Sequence, residues 1–427
     1  MTTDQPHGSP ADPRDEIRVF GRVASPAGYE IRDFLSRSVV AFEWVELTSD
    51  EQARREADVA SLDDPRLPVC LFPDGARIEA ATARAIADRL GWVSRPRQTE
   101  YDVSIYGAGP AGLSAAVYAA SEGLRTVLIE REAVGGQAGT SSLIENYLGF
   151  PGGISGARLA ERARQQAVAF GAEILLMREG VKAEFRDGRI VVDLAEGGQL
   201  IARTNICATG IEYRRLGLPG EDRLLGAGVY YGSGASEAAL CRGEHVYVVG
   251  GGNSAGQAAM HLSQEARMVT VLIRHDRPAA SMSRYLLDRL HATPNIAIQT
   301  RAQVTAIEGD DRLRAITVRD EETGTEQLVE AGRLFVLIGG RPNTEWARDT
   351  TIIRDEGGYL LTGPDLLGGG RLPAEWPLER QPYYLETSVP GSFAIGDVRH
   401  NSVKRVASAV GEGAMAVQFI HRHLADI

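Results

Sequence analysis

Residues 101–120 read YDVSIYGAGPAGLSAAVYAA, and residues 244–263 read EHVYVVGGGNSAGQAAMHLS. Each stretch is an apolar run that ends in glycine and opens a helix of small residues. The first carries Gly107-x-Gly109-x-x-Gly112, with Pro110 and Ala111 between. Its first glycine permits a tight turn, the second lets backbone N–H groups approach a pyrophosphate, and the third lets helix pack on strand. The second carries Gly250-x-Gly252-x-x-Ala255, with Asn253 and Ser254 opening its helix. In both, a phosphate is expected at the positive N-terminus of the helix. Two such units in one chain predict two nucleotides side by side in an α/β protein. The fold expected is two Rossmann-like, three-layer ββα domains.

Residues beyond each fingerprint sort the two nucleotides. Glu130 ends the next strand, RTVLIE, about 20 residues on, where a carboxylate accepts from a ribose 2′-OH. After the second fingerprint the strand VTVLI is followed by Arg274-His275-Asp276-Arg277. Guanidinium groups suit a 2′-phosphate through charge-assisted, bidentate contacts, and His275 adds charge only when protonated. NADPH is therefore the expected second nucleotide, with NADH as the alternative.

Beyond the fingerprints, Gly135-Gly136-Gln137, Ile144-Glu145-Asn146-Tyr147, Ala208-Thr209-Gly210 and Gly396-Asp397 follow in order. From Tyr101 to the C-terminus the chain thus resembles the thioredoxin reductase family of FAD- and NAD(P)-dependent pyridine nucleotide-disulfide oxidoreductases. The resemblance implies FAD in the first site. It implies Gln137 and Asn146 near the isoalloxazine, with Gly136, Thr209 and Gly210 in the same site. Asp397 would lie on the ribityl chain, and Arg405, Val406 and Ala407 at the pyrimidine end of the ring. It also implies a homodimer, with residues 101–215 and 344–427 as the FAD domain and 216–343 as the NADPH domain.

The chain departs from that family at the relay. Thioredoxin reductases carry C-x-x-C-D before the second nucleotide strand, where this chain has Ser233-Gly234-Ala235-Ser236-Glu237. A serine cannot form a disulfide, and disulfide exchange requires a thiolate. Tyr230, Tyr231 and Ser233 are expected to face the flavin if the loop survives. The candidate catalytic positions are Tyr231, Ser233, Ser236, Glu237 and His400. In the family the nucleotide domain rotates between two arrangements. Here the hinges would lie near Leu216–Pro219 and Gly339–Asn343.

Residues 17–93 read as a small β-α-β-α-β-β-α module with a proline, Pro68, before the third strand. It resembles a glutaredoxin or thioredoxin domain. Where those families place C-P-x-C at a helix N-terminus, this chain has Ser25-Pro26-Ala27-Gly28. Peptide docking or dimerisation is expected of it rather than thiol chemistry. Residues 94–100 read as a linker, and residues 363–383 as an irregular loop.

Composition bounds the rest. A 427-residue chain exceeds one ordinary core, so several domains are expected. A hydrophobic share of 43% and a charged share of 24% are those of a globular protein in water. The net charge of −11 argues against a nucleic-acid surface and weakens the case for a ferredoxin partner. No apolar run reaches the roughly 20 residues that span a bilayer. Residues 1–16 carry no secretory pattern and read as a disordered tail, so a cytoplasmic protein is expected. Cys70, Cys207 and Cys241 have neither C-x-x-C nor metal-ligand spacing, and no metal is expected. Cys70 and Cys207 sit in apolar runs and read as buried small hydrophobes.

Three functions follow. The first is a flavoenzyme passing hydride from NADPH to flavin N5 and on to a non-dithiol acceptor: oxygen, a quinone, a ferredoxin-like carrier or another small molecule. The second is a thioredoxin-disulfide reductase. The third is a non-catalytic redox or nucleotide sensor.

Overall fold

The computed structural model describes residues 16–426, apart from 23, 187, 233–235, 279–281, 369 and 375. Three bodies follow one another along the chain. In the N-terminal module, strand Ile17–Gly21 pairs in parallel with Phe42–Glu46 and antiparallel with Val69–Leu71. Val69–Leu71 then pairs antiparallel with Arg77–Ile78. Helix Pro26–Arg37 starts at Ser25, whose hydroxyl accepts from the Gly28 N–H, with Pro26 in the first turn. Both features stabilise a helix start, since proline has no N–H to leave unpaired there. Asp50–Ala57 and Ala83–Arg89 complete the β-α-β-α-β-β-α order read from the sequence. The second helix is shorter than the run DEQARREADVASL suggests. It ends where Asp58 takes a left-handed conformation, φ 50°.

The first nucleotide-binding unit is a seven-stranded sheet. Glu173–Leu176, Thr126–Glu130, Tyr101–Tyr106 and Gln199–Cys207 run parallel, and Ser392–Ala394 joins Gln199–Cys207 from the C-terminal part of the chain. Thr126–Glu130 is buried along its whole length, as a strand covered on both faces must be. Helix Pro110–Ser121 is packed on several sides, which its Ala-rich sequence allows. The long final helix Val406–Asp426 lies on it so closely that a Cβ on Gly413 would fall 2.5 Å from the Ala111 carbonyl oxygen.

The second unit is an all-parallel sheet in the order Val229–Tyr231, Leu334–Val336, His245–Val249, Met268–Ile273, Ile296–Thr300. An antiparallel meander follows, Ala302–Gly309, Leu313–Asp320 and Glu326–Glu330. The chain passes between the units twice. Ile211–Tyr213 and Gly340–Pro342 do so side by side as a two-stranded antiparallel ladder. Gly339–Asn343 therefore contains one crossing. Leu216–Pro219 lies past the other, pinned to the second unit by Gly217 and Leu218 N–H groups on the Glu221 carboxylate, at 2.7 and 3.1 Å.

Within the stretch 363–383, Trp376 and Arg380 are held down. Trp376 is buried and its Nε1 donates to the Arg380 carbonyl at 2.7 Å. Arg380 in turn donates twice to the buried Glu386 carboxylate, at 2.7 and 3.0 Å. Among the described residues no helix is long and apolar enough to cross a membrane.

Candidate functional site

One continuous cleft of about 1820 Å³ runs between the two nucleotide-binding units. Its first end is built by the turn after Tyr101–Tyr106. Gly107 has φ +104°, a left-handed conformation, and a Cβ there would lie 2.4 Å from the Ala208 carbonyl oxygen. A Cβ on Gly112 would sit 1.9 Å from the Gly107 carbonyl oxygen. Gly109 differs, because nothing lies within 4 Å of its Cβ position and it faces the open cleft. Two glycines thus close the turn, and the third leaves room beside the helix N-terminus. That is the cradle a pyrophosphate needs.

Glu130 sits at the end of the neighbouring strand. Its carboxylate accepts from the Ala108 and Glu132 N–H groups, each at 2.8 Å, so it is fixed in direction. Burial pushes its pKa up, against those two hydrogen bonds. The cleft wall continues through Pro110, Ala111, Gly136, Gln137, Asn146, Thr209, Gly210, Gly396, Asp397, Arg405 and Val406. Burial raises the Asp397 carboxyl as well. Thr209 Oγ donates to the Asn343 carbonyl at 2.8 Å, tying this wall to the crossing strand. Gly112 is buried behind the wall, and Ala407 is exposed outside it.

The other end of the cleft is lined by Gly250, Gly252, Asn253, Ser254, Arg274 and His275. A Cβ on Gly250 would lie 2.4 Å from the Leu337 carbonyl oxygen, so this turn closes as the first does. Asn253 Oδ1 accepts from the Ser283 N–H at 2.7 Å. Ala255 is fully buried under the helix, and Arg277 is exposed and off the wall. Residues that sequence reading did not single out stand beside Arg274 and His275. Gln303 and Arg319 line the same wall, with Arg319 Nη2 donating to Gln303 Oε1 at 3.1 Å. They come from the meander, which no fingerprint covers. Just before it, the Arg301 N–H donates to the His275 carbonyl at 2.9 Å.

The relay region is arranged differently from expectation. Ser233 lies outside the described residues. Tyr231 is on the cleft wall, but its hydroxyl is committed to the Glu221 carboxylate and to the Leu216 N–H. Burial lifts its pKa further, and so does hydrogen bonding to Glu221. Tyr230 points the other way, into the core of the second unit. It stacks on Phe335 with ring centroids 5.1 Å apart and accepts from Arg333 at 3.1 Å. Ser236 is half-buried and off the cleft wall. Glu237 is buried and accepts two hydrogen bonds from Arg32 of the N-terminal module, at 3.2 and 2.9 Å. His400 is also off the wall, its Nδ1 2.6 Å from the Asp355 carboxylate. The relay acid is thus occupied by a partner 205 positions away in sequence.

The N-terminal module reaches the cleft as well. Tyr29, Asp33 and Arg37, all on helix Pro26–Arg37, line it. Arg37 pairs with Asp33 and Glu132, both at 3.3 Å, and donates to the Ala133 carbonyl at 3.2 Å. Burial raises the Asp33 carboxyl against the pull of Arg37.

The cysteines are all free and buried. Cys70 belongs to the core of the N-terminal module, Cys241 to that of the second unit, and Cys207 to a cluster with Ala347 and Ile352. Cys207 reaches the cleft floor yet is only 1% exposed. Burial pushes each of the three thiols up to about 12. Among the described residues no group of three or more His, Cys, Asp or Glu could hold a metal ion.

Comparison with known proteins agrees with this geometry. Residues 101–413 match the family model described as pyridine nucleotide-disulphide oxidoreductase. Thioredoxin reductase from Treponema pallidum is 36% identical over 320 residues, covering 75% of this chain and 95% of that protein. The thioredoxin reductase of Mycolicibacterium smegmatis is 35% identical over 334 residues, 77% of this chain and 98% of that one. Among solved structures, Lactococcus lactis thioredoxin reductase in its FR conformation has a TM-score of 0.68 at 28% identity. It covers 77% of this chain and 100% of its own.

Proposed function

We propose that this chain, which belongs to the pyridine nucleotide-disulphide oxidoreductase family and is thioredoxin reductase-like, delivers its electrons to an acceptor other than a protein dithiol. It is an NAD(P)H-dependent flavoenzyme, and members of its family use FAD and NADPH. FAD, when bound, supplies a ring that takes a hydride from a nicotinamide and passes two electrons on. The residues fit such a pair of nucleotides. Gly107, Gly109 and Gly112 form the first cradle, with Glu130 and Asp397 on the cleft wall, where they would hold the ribose and the ribityl chain. Gly250 and Gly252 open the second, where Arg274 puts a guanidinium on the wall for a 2′-phosphate, while Arg319 is held by the Glu321 carboxylate at 2.8 Å.

The observation that carries the non-dithiol reading is the separation of Cys70, Cys207 and Cys241 into three different cores. A dithiol relay needs two sulfurs within reach of each other, with the thiolate form accessible. Their separation denies the first, and burial works against the second. Small oxidants such as oxygen or a quinone need no such pair.

The relatives' names favour the second reading, thioredoxin-disulfide reduction. Anaerobic stopped-flow separates the two. The FAD-loaded protein is reduced by NADPH or NADH while the flavin band is followed, then mixed with oxygen, a quinone, a ferredoxin or oxidised thioredoxin. Fast bleaching with reoxidation by a non-dithiol acceptor is expected. Turnover of thioredoxin would overturn the proposal. Absence of bleaching by either nucleotide would favour a sensor.

The remaining assignments belong to the same reading. The module of residues 17–93 is taken as thioredoxin-like, supported by its strand order and by its position against Glu237. Residues 101–215 and 344–427 are assigned to FAD, and 216–343 to NADPH. A homodimer is taken from the family resemblance alone, and a cytoplasmic place is in keeping with the relatives.

A further inference from the structure

Helix Pro26–Arg37 touches both nucleotide-binding units at once. Toward the second unit, Tyr29 packs edge-on against Tyr230, ring centroids 5.3 Å apart. Pro26 and Tyr29 press so closely on Gly226 that a Cβ there would lie 3.0 and 2.9 Å from them. Arg32 completes this face with its two hydrogen bonds to Glu237. The pair is 2% and 0% exposed, and the guanidinium lies over the Trp44 ring at 4.2 Å. Toward the first unit, Phe34 shares a core with Ala133 and Met177. Arg37 holds Glu132 and the Ala133 carbonyl. Elsewhere in the module, Arg84 donates to the Met177 carbonyl at 2.7 Å and pairs with Glu196 at 3.0 Å.

At 3.6 residues per turn, Arg32 and Arg37 project about 140° apart on one helix. A single 12-residue helix is rigid on this scale, so its two faces cannot move independently. The covalent connection between the units is only the pair of strands Ile211–Tyr213 and Gly340–Pro342. A two-strand connection of this kind permits rotation. A direct ion pair also spans the units, Arg289–Glu145, but it is 47% and 30% exposed and weak on that account. Any rotation of one unit against the other must therefore strip the helix from one of them. On the Arg32 side that would leave a buried carboxylate without its partner.

We infer that helix Pro26–Arg37 is a splint that holds the two nucleotide-binding units in one relative orientation, with Arg32 and Arg37 as positioning residues on its two faces. The module then has a task that needs no cysteine. It fixes the walls of the cleft relative to each other, and it covers the Glu237 carboxylate.

The test is the distance between the units in the full-length holoenzyme. Nitroxide labels go on Gln166→Cys in the first unit and Gln327→Cys in the second, both exposed. The native thiols are buried and leave the labelling selective. Pulsed dipolar spectroscopy is expected to give one narrow distance, unchanged by NADP⁺. Arg32→Gln and Arg37→Gln are each expected to broaden it at least twofold or add a second distance, while thermal melts show a folded protein. If either variant does not fold, the other carries the test. Two distances in the unmutated protein would overturn the splint. So would broadening from one face only, or an unchanged narrow distance in a folded variant.

Discussion

Gly109 and Gly112 are three residues apart in one fingerprint, yet the structure assigns them opposite costs. At Gly112 a methyl group would lie 1.9 Å from the Gly107 carbonyl oxygen. An ordinary C···O contact is about 3.3 Å, so the overlap is roughly 1.4 Å against backbone that cannot swing aside. Overpacking of this kind costs about 3 kcal/mol or more. Alanine returns about 1 kcal/mol of helix propensity, which leaves Gly112→Ala roughly 2 kcal/mol less stable without any ligand. At Gly109 the Cβ position is open, and φ −71°, ψ −179° suits any residue. Gly109→Ala loses only an N-cap preference, under about 1 kcal/mol. Its methyl instead enters the space where backbone N–H groups would meet a pyrophosphate. Losing one charge-assisted hydrogen bond there costs about 1.5–3 kcal/mol, or roughly 10- to 150-fold in Kd for FAD. Urea unfolding of the apoprotein gives the first quantity, and titration followed by flavin fluorescence gives the second. The reasoning is refuted if Gly109→Ala destabilises the apoprotein as much as Gly112→Ala does, or if it binds FAD with unchanged affinity.

Arg274→Ala is expected to weaken NADPH binding roughly 10-fold or more and to leave NADH binding nearly unchanged, read by calorimetric titration. Equal losses for both nucleotides would remove this side chain from the 2′-phosphate. The triple variant Cys70→Ser, Cys207→Ser, Cys241→Ser should keep the rate of flavin reduction. In the native protein all three thiols should resist an aromatic disulfide reagent until denaturant is added, because burial holds them up at about 12. Asp397 gives a pH signature. Burial raises its carboxyl above the ordinary value of 3.8, so its contribution to folding is fully present below that value and is lost as pH rises through the raised one. Asp397→Asn apoprotein should therefore gain stability over the unmutated apoprotein as pH climbs above about 4, measured by thermal melts across pH. A constant difference across pH would contradict the assignment.

Much of the cleft was legible in contiguous sequence. A fingerprint encodes its own geometry within about six residues, because the glycines that permit the turn also mark where a phosphate comes close. The same holds for Glu130, one strand away, and for Asp397 within its own short motif. Buried parallel strands announce themselves as apolar runs, as TVLIE and HVYVV do. Burial of Cys70 and Cys207 followed from the apolar stretches around them. The first helix begins at Pro26, two residues before the run GYEIRDFLSR, because Ser25 caps it and the proline needs no N–H partner there.

Other positions depended on which surfaces meet, and no local pattern carries that information. Tyr230 and Tyr231 are adjacent in a strand, so their side chains take opposite faces. Only the assembled sheet decided that Tyr231 met the cleft and Tyr230 met Phe335. His400 found Asp355 instead of the cleft. Arg319 reached the cleft wall because it lies on the meander, where it pairs with Glu321 and Gln303. Most consequential is Glu237, whose partner Arg32 lies 205 residues earlier. The sequence by itself determined two nucleotide cradles and the absence of a C-x-x-C, since both are properties of neighbouring residues. Only tertiary structure decided that the N-terminal helix closes over the relay acid and braces both units. That contact is set by packing between bodies far apart in the chain, where burial makes one ion pair count.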